Sequence, residues 1–342
     1  MRAFDFVRAD SGSGAVQAVL SSAPGKSGSA GRQAEFLAGG TTLLDLMKLE
    51  VMRPARVIDI NALADGDAGK ITFDDRGLRL GAMVRMADAA DHPGIRSAYP
   101  VLAQTLTLAA SPQIRNMASL GGNALQRTRC TYFRDISYGN CNKRSPGSGC
   151  AALQGVNRSH AVLGTSDQCI ATYPGDFAQA LIALDARVAI LGSSGMRQIA
   201  FADLLRAPGS TPDIEHNLAP GELIAEFMVP AKPFARRSLY LKIRDRASYE
   251  FALASAAVAL DLGGDNVVRD ARIALGGVAT VPWRAHEAER ALSGQALSED
   301  TLTAAARAAF AGAVPAKHNA FKIELGQRTL VRALKQAAAM TI

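Results

Sequence analysis

The four cysteines of this chain, Cys130, Cys141, Cys150 and Cys169, all fall within residues 124–173, a segment without the apolar periodicity of helices or strands. An irregular segment of this length inside a compact domain is usually functional or disordered. The cysteines therefore constrain the fold strongly, because regular structure on both sides must support one long loop that carries every thiol of the chain.

Three explanations of these cysteines compete: two disulfides, a structural zinc ion, or a [4Fe–4S] cluster. Zinc sites usually contain Cys-x-x-Cys pairs, which this sequence lacks. Disulfides require an oxidising compartment, and the residues after Met1 lack the apolar run of a signal peptide. The spacing alone does not select an iron–sulfur cluster, so the three explanations stay open here.

Basic residues are frequent in this loop. A cluster ligated by four thiolates is anionic, so cations and the backbone N–H groups of residues 147–149 would stabilise it, although the same residues also suit a solvated loop. We interpret His160 as a hydrogen-bonded structural residue rather than a metal ligand. The basic residues are Arg127, Arg129, Arg134, Lys143 and Arg144.

The composition is that of a globular protein, with 48% hydrophobic and 20% charged residues, and 342 residues allow two or three domains. The net charge of +7 could favour acidic partners, anionic cofactors or nucleic acid. No aromatic-rich basic patch supports nucleic-acid binding, and no apolar stretch approaches a membrane span. We expect neither nucleic-acid binding nor membrane insertion.

The patterning predicts alternating strands and helices up to about Pro230, and then strands followed by helices, which suggests a separate α+β domain. Residues 21–32, rich in Ser, Gly and Ala, are expected to form an exposed loop. The predicted strands lie at 36–38, 56–60, 187–191, 237–243, 251–262 and 268–275, with a hairpin at 70–84. The predicted helices lie at 41–49 (ended by Pro54), 85–110, 177–185, 285–293, 299–312 and 325–339.

Two glycine pairs, Gly39 with Gly40 and Gly121 with Gly122, are expected to form tight turns where a strand ends. Glycine lets peptide N–H groups approach a pyrophosphate, so the two pairs suggest a dinucleotide or flavin. Neither pair has the GxGxxG spacing of a Rossmann unit or the lysine of a P-loop. Each pair alone also fits a simple tight turn.

Several motifs together resemble the flavoprotein subunits of the xanthine oxidase and carbon monoxide dehydrogenase family. The stretch Leu37-Ala38-Gly39-Gly40-Thr41-Thr42-Leu43-Leu44 resembles the first FAD loop of that family, and Ser119-Leu120-Gly121-Gly122-Asn123 resembles the second. Pro174-Gly175-Asp176 resembles the segment whose carboxylate reaches the flavin nucleotide. Gly175 is a departure, because relatives often have Ser or Ala there.

The resemblance runs over nearly the whole chain and implies an α+β fold. It implies a VAO/PCMH-type FAD-binding domain at 1–230, with subdomains 1–60 and 61–230 and the cysteine-rich loop 124–173. A CO dehydrogenase flavoprotein C-terminal-type domain at 231–342 follows, with a small antiparallel sheet and a helical bundle. The implied FAD-binding residues are Leu37, Ala38, Gly39, Gly40, Thr41, Thr42, Leu43, Ser119, Gly122, Asn123, Asp176, Ile224 and Lys242.

The cysteine loop is similar to that of one branch, the FAD subunit of bacterial three-subunit aldehyde oxidoreductases, which carries a [4Fe–4S] cluster there. The similar stretches are 126–135, 141–144 and 147–152. The resemblance thus implies Cys130, Cys141, Cys150 and Cys169 as cluster ligands.

The function implied is that of an FAD-binding electron-transfer subunit of a molybdenum-containing aldehyde oxidoreductase. A large molybdopterin-cofactor subunit and a small [2Fe–2S] subunit would be its partners, and a quinone, a ferredoxin-like protein or oxygen its external electron acceptor. No side chain needs to act as general base, because the flavin performs the redox chemistry. We expect export to the periplasm within a preassembled complex, with a cytoplasmic location as the alternative.

Three other functions are compatible with parts of the pattern. One is the flavin subunit of a different molybdenum hydroxylase. The second is a stand-alone VAO-type flavin oxidase, which should have a substrate-binding cap and often a covalent flavin link. The third is a non-enzymatic metal-binding or assembly module, which would not need intact flavin loops.

Overall fold

The computed structural model describes residues 1–22 and 33–342. Most of the loop expected at 21–32 therefore lies outside the described residues. The described part of the chain forms three β-sheets with helices packed between and around them. Within this part, no helix has both the length and the apolar character that crossing a membrane requires.

The first sheet contains three parallel strands in the order β1-β3-β2. Ile58 of the central strand is completely buried and packs against α1, through Ala15 and Val16. The predicted strand, turn and helix around Gly39 are present, and the next strand returns to the same sheet. The elements are β1 Asp5–Arg8, α1 Gly12–Leu20, β2 Ala34–Leu37, α2 Leu43–Lys48 and β3 Arg56–Asp59.

The second sheet contains five antiparallel strands in the order β4-β5-β8-β6-β7. The predicted hairpin is present, and the Asp74 carboxylate shapes its turn by accepting hydrogen bonds from the N–H groups of Arg76 and Gly77. The elements are β4 Ile71–Asp74, β5 Gly77–Gly81, α3 Met86–Asp91, α4 Pro93–Ala98, α5 Pro100–Thr107, α6 Pro112–Met117, α7 Leu120–Ala124, α8 Thr131–Arg134, α9 Phe177–Ala183, β6 Arg187–Gly192, β7 Gly195–Ala200 and β8 Leu223–Pro230.

The third sheet contains four antiparallel strands in the order β12-β11-β10-β9. Strand β10 is apolar from Ala256 to Leu260 because both of its faces are buried there. Ala257 and Ala259 join the core of the second sheet, whereas Val258 and Leu260 pack against the C-terminal helices. The elements are β9 Ser238–Ile243, β10 Ala254–Leu262, β11 Val268–Gly276, β12 Trp283–Arg284, α10 His286–Leu292, α11 Glu299–Ala309 and α12 Phe321–Ala338.

Three local features differ from the sequence prediction. Helix α2 ends at Lys48, well before Pro54, because Glu50 adopts a left-handed backbone conformation with φ 58°. The region 85–110 is divided into three helices, and the second and third begin at Pro93 and Pro100, where proline suits the first helical position.

The third difference concerns Gly121 and Gly122, which lie inside the short helix α7 and not in a turn at the end of a strand. The Ser119 hydroxyl caps this helix by accepting a hydrogen bond from the N–H of Gly122. A β-carbon on Gly121 would lie 3.1 Å from the β-carbon of Ala82, so glycine allows the helix to pack closely.

The segment 124–173 is irregular, as predicted, and among the described residues its one helix is the single turn α8. The C-terminal domain fixes the end of this segment. The Asn319 amide donates hydrogen bonds to the carbonyl oxygens of His160 and Ala161, and the buried Lys322 ammonium donates to that of Ser159. The loop is therefore held between the two halves of the protein.

Candidate functional site

A cleft of about 1500 Å³, measured out to the open solvent, lies where the loop after β2, the start of α7 and the start of β8 meet. The predicted FAD-binding residues that line it are Ala38, Gly39, Gly40, Thr41, Thr42, Leu43, Ser119, Gly122 and Ile224. Two loops distant in sequence and one strand of the second sheet thus meet at one site, which we call the flavin cleft.

Glycine is required at Gly39 because the first loop presses against the second. A β-carbon on Gly39 would stand 1.9 Å from the carbonyl oxygen of Met117, which precedes α7. Gly40 follows with φ 74°, in the left-handed region that favours glycine. The backbone of the first loop therefore forms part of the cleft wall directly, which is the geometry that a pyrophosphate needs.

Four predicted binding residues do not line the cleft: Leu37, Asn123, Asp176 and Lys242. Leu37 ends β2, and Asn123 lies in α7 with its amide nitrogen 3.3 Å from the sulfur of Met86.

Asp176 and Lys242 instead form a buried ion pair. The Lys242 ammonium donates to the Asp176 carboxylate at 2.7 Å, and the hydroxyl of Tyr240 donates to the other oxygen at 2.5 Å. Burial raises the pKa of Asp176, against the opposing effect of Lys242. The structure thus brings Asp176 and Lys242 together, but neither residue lines the flavin cleft.

A second group of charged residues does line the cleft. Arg127, Lys143 and Glu215 all lie in its wall. The sequence interpretation assigned Arg127 and Lys143 to charge compensation around the cysteines and did not single out Glu215. No motif surrounds Glu215, and nothing in the sequence distinguishes it from the neighbouring Asp213 as a partner for the loop cations.

The four cysteines line one small, narrow cavity, together with residues of the surrounding loop. All four are free thiols, so the structure contains no disulfide among them. The sulfur of Cys130 lies 3.2 Å from Nε2 of His160. We call this site the cysteine cavity.

The thiols of the cysteine cavity differ in their environment. The thiol of Cys169 donates towards the sulfur of Cys150, which lowers the pKa of Cys150 and raises that of Cys169. Burial raises the pKa of Cys130 to about 12. Among the described residues, no group of three or more His, Cys, Asp or Glu side chains is placed to hold a metal ion. This arrangement gives no support to a compact zinc site.

Comparison with known proteins decides the family. Residues 2–232 match the family model described as the FAD binding domain in molybdopterin dehydrogenase, and residues 239–337 match the CO dehydrogenase flavoprotein C-terminal domain. The chain belongs to the FAD-binding subunits of the molybdopterin dehydrogenase family. The predicted family, the α+β fold class and the binding of FAD are thereby confirmed, and the chain is the flavoprotein component of an oxidoreductase.

Individual relatives support this assignment. The chain is 48% identical over 309 residues to the aldehyde oxidoreductase FAD-binding subunit PaoB of Escherichia coli K12, covering 90% of this chain and 92% of that protein. It is 27% identical over 313 residues to the carbon monoxide dehydrogenase medium chain of Afipia carboxidovorans, covering 90% of each chain.

Among solved structures, carbon monoxide dehydrogenase from Hydrogenophaga pseudoflava, in a form that lacks the Mo-pyranopterin moiety, superposes with a TM-score of 0.74 at 27% identity. The match covers 99% of this chain and 98% of that chain. The whole described fold, including both domains, is therefore that of a family member.

Proposed function

We propose that the chain is the FAD-binding subunit of a molybdenum-containing aldehyde oxidoreductase. The observation that carries this proposal is the 48% identity, over 90% of the chain, to a protein named as the FAD-binding subunit of an aldehyde oxidoreductase. The relatives named for carbon monoxide are much more distant, at 27% and 29% identity, which favours an aldehyde as the substrate of the complex.

The flavin cleft fits FAD on two structural grounds. Gly39 and Gly40 bring backbone without side chains to its wall, and Ser119 and Gly122 at the start of α7 line the same space, so a pyrophosphate could approach closely. FAD bound there would exchange electrons either in pairs or one at a time. The protein binds it, shields it with apolar residues such as Ile224, and sets the charge around it.

A [4Fe–4S] cluster is our proposal for the cysteine cavity. Four thiols line one small cavity, and the loop supplies buried cations that would offset the negative charge of a thiolate-ligated cluster. Each thiolate of such a cluster binds a different iron, so its sulfurs stand further apart than those around a single metal ion. The absence of a compact ion site among the described residues is compatible with that wider spacing.

The partners we propose are a large molybdopterin-cofactor subunit and a small [2Fe–2S] subunit, in keeping with relatives that are medium chains of dehydrogenase complexes. Electrons would leave through FAD to a quinone, a ferredoxin-like protein or oxygen. A periplasmic location, reached by co-export with a partner, completes the proposal.

The test is anaerobic reduction of the flavin in the purified complex and in the chain alone. An aldehyde should bleach the flavin absorbance only when the partner subunits are present. Bleaching by a heteroaromatic substrate or by carbon monoxide, but not by aldehydes, would instead assign the chain to another molybdenum hydroxylase. Bleaching of the chain alone would support a stand-alone flavin oxidase.

A further inference from the structure

One side chain lies in the walls of both sites. Lys143 lines the flavin cleft and the cysteine cavity, and it lies two residues after Cys141. Its ammonium donates to the Glu215 carboxylate at 2.9 Å and to the carbonyl oxygen of Pro212 at 3.0 Å. Its side chain is only 12% exposed. The position of this cation therefore depends on the conformation of the cysteine loop.

Glu215 joins Lys143 to a second buried cation. Nε of Arg127 donates to the other Glu215 oxygen at 2.5 Å, and Arg127 is only 7% exposed. Among the described residues, neither terminal nitrogen of Arg127 has a hydrogen-bond partner. These three side chains together carry one net positive charge, and they present hydrogen-bond donors that lack an acceptor. Glu35, Arg206 and Glu222 also line the cleft.

We propose that Arg127, Glu215 and Lys143 form a charged bridge that couples the flavin cleft to the cysteine cavity, so that filling either site raises the affinity of the other. The inference rests on the proposed function, because it requires FAD in one site and an iron–sulfur cluster in the other. It assigns these three residues a positioning role between the cofactors.

The ordering of Lys143 explains why each cofactor should favour binding of the other. The diphosphate of FAD and a thiolate-ligated cluster are both anionic and attract the same cation, which by itself would not make one favour the other. The favourable direction comes from the ordering of Lys143. A filled cysteine cavity fixes the loop around Cys141 and hence the ammonium of Lys143. If Lys143 withdraws, Arg127 and Glu215 neutralise each other and the flavin cleft loses the ammonium from its wall.

Coupling of this kind is reciprocal and commonly changes affinity by about 5- to 150-fold. We therefore expect the Kd for FAD to rise by roughly fivefold or more when iron is removed from the full-length chain. By the same linkage, FAD should slow the loss of iron to a chelator.

The experiment measures the Kd for FAD by flavin fluorescence in the iron-loaded and iron-depleted chain, with iron content determined on each sample. The variants are Lys143→Met, Lys143→Arg and the control Lys335→Met, which removes a surface ion pair with Glu299 on the C-terminal domain. The wild type and Lys335→Met should show the iron dependence. Lys143→Met should bind FAD about tenfold more weakly than the wild type and should lose the iron dependence. Lys143→Arg should keep most of the wild-type affinity and most of the iron dependence.

Two results would overturn the bridge. One is an equal Kd for FAD with and without iron in the wild type, and the other is an iron dependence that survives Lys143→Met. If the wild type binds FAD but never contains iron, the proposed cluster itself fails and the bridge with it. The iron assay separates that outcome from the failure of coupling alone.

Discussion

The α-carbon of Gly39 lies so close to the backbone of Met117 that a β-carbon at position 39 would stand 1.9 Å from the Met117 carbonyl oxygen. This contact joins the two loops of the flavin cleft, which are far apart in sequence. Neither backbone can yield easily, because Met117 ends α6 and the capped helix α7 begins three residues later.

Gly39→Ala should therefore disrupt the flavin cleft. We expect a loss of about 1–3 kcal/mol in the free energy of unfolding and a fall in FAD affinity of tenfold or more, since about 1.4 kcal/mol corresponds to tenfold. Thermal unfolding and FAD titration measure both effects. The control is Gly264→Ala, where an added β-carbon meets no atom within 4 Å. Wild-type FAD affinity in Gly39→Ala would contradict this account of the cleft.

Gly175→Ser should destabilise the protein. A β-carbon at position 175 would lie 2.6 Å from the hydroxyl of Tyr173, which donates a buried hydrogen bond to the carbonyl oxygen of Ala124. We expect a loss of about 1–3 kcal/mol through displacement of the Tyr173 ring. Chemical denaturation measures the loss. An unchanged or higher stability would show that contact with Tyr173 does not exclude a side chain at position 175.

The stability of the wild type should depend on Glu215 in acid. Burial alone would raise the pKa of Glu215, but the charges of Arg127 and Lys143 outweigh it and lower the pKa to about 2. The carboxylate therefore stabilises the fold above the ordinary pKa of glutamate, and this contribution is lost as the pH falls from about 4.5 towards 2. The lost contribution is roughly 3 kcal/mol.

Glu215→Gln tests this pH dependence. The variant should be less stable than the wild type at neutral pH, and the difference should shrink as the pH falls through that window. Unfolding midpoints measured at a series of pH values give the comparison. A difference that is constant with pH would mean that the charge of Glu215 does not stabilise the fold.

Asn319→Ala should loosen the cysteine loop from the C-terminal domain. The buried Asn319 amide donates to the carbonyl oxygens of His160 and Ala161 and accepts from the N–H of Ala316. Its removal leaves buried backbone groups without partners, at a cost of about 2–4 kcal/mol. We expect a lower unfolding temperature and faster loss of iron. The control Lys317→Ala, at an exposed neighbouring position, should change neither the unfolding temperature nor the rate of iron loss. If the two variants behave equally, Asn319 does not hold the cysteine loop.

Much of the fold could be predicted because local patterns determine it. Local sequence patterns predict the hairpin turn at Asp74, the strand–turn–helix around Gly39 and the largely apolar strand β10. The structure contains all three. The helical state of Gly121 and Gly122 could not be predicted, because it depends on a cap from Ser119 and on packing against Ala82.

The candidate site could also be predicted only in part, where its residues belong to local motifs. The glycine loops could be located by motif, and so could the four cysteines that share a cavity. Glu215 could not, since its role depends on two cations that are 88 and 72 residues away along the chain. The placement of Asp176 against Lys242 is likewise a long-range contact that sequence spacing does not reveal.

The most direct test of the account is the cofactor content of the full-length chain purified under anaerobic conditions, with flavin, iron and acid-labile sulfide measured on one sample. We expect noncovalent FAD together with about four iron atoms per chain, the stoichiometry of one [4Fe–4S] centre. Flavin without iron would contradict the assignment of Cys130, Cys141, Cys150 and Cys169 as cluster ligands. Iron or zinc without flavin would contradict the central claim that the chain is a flavoprotein subunit.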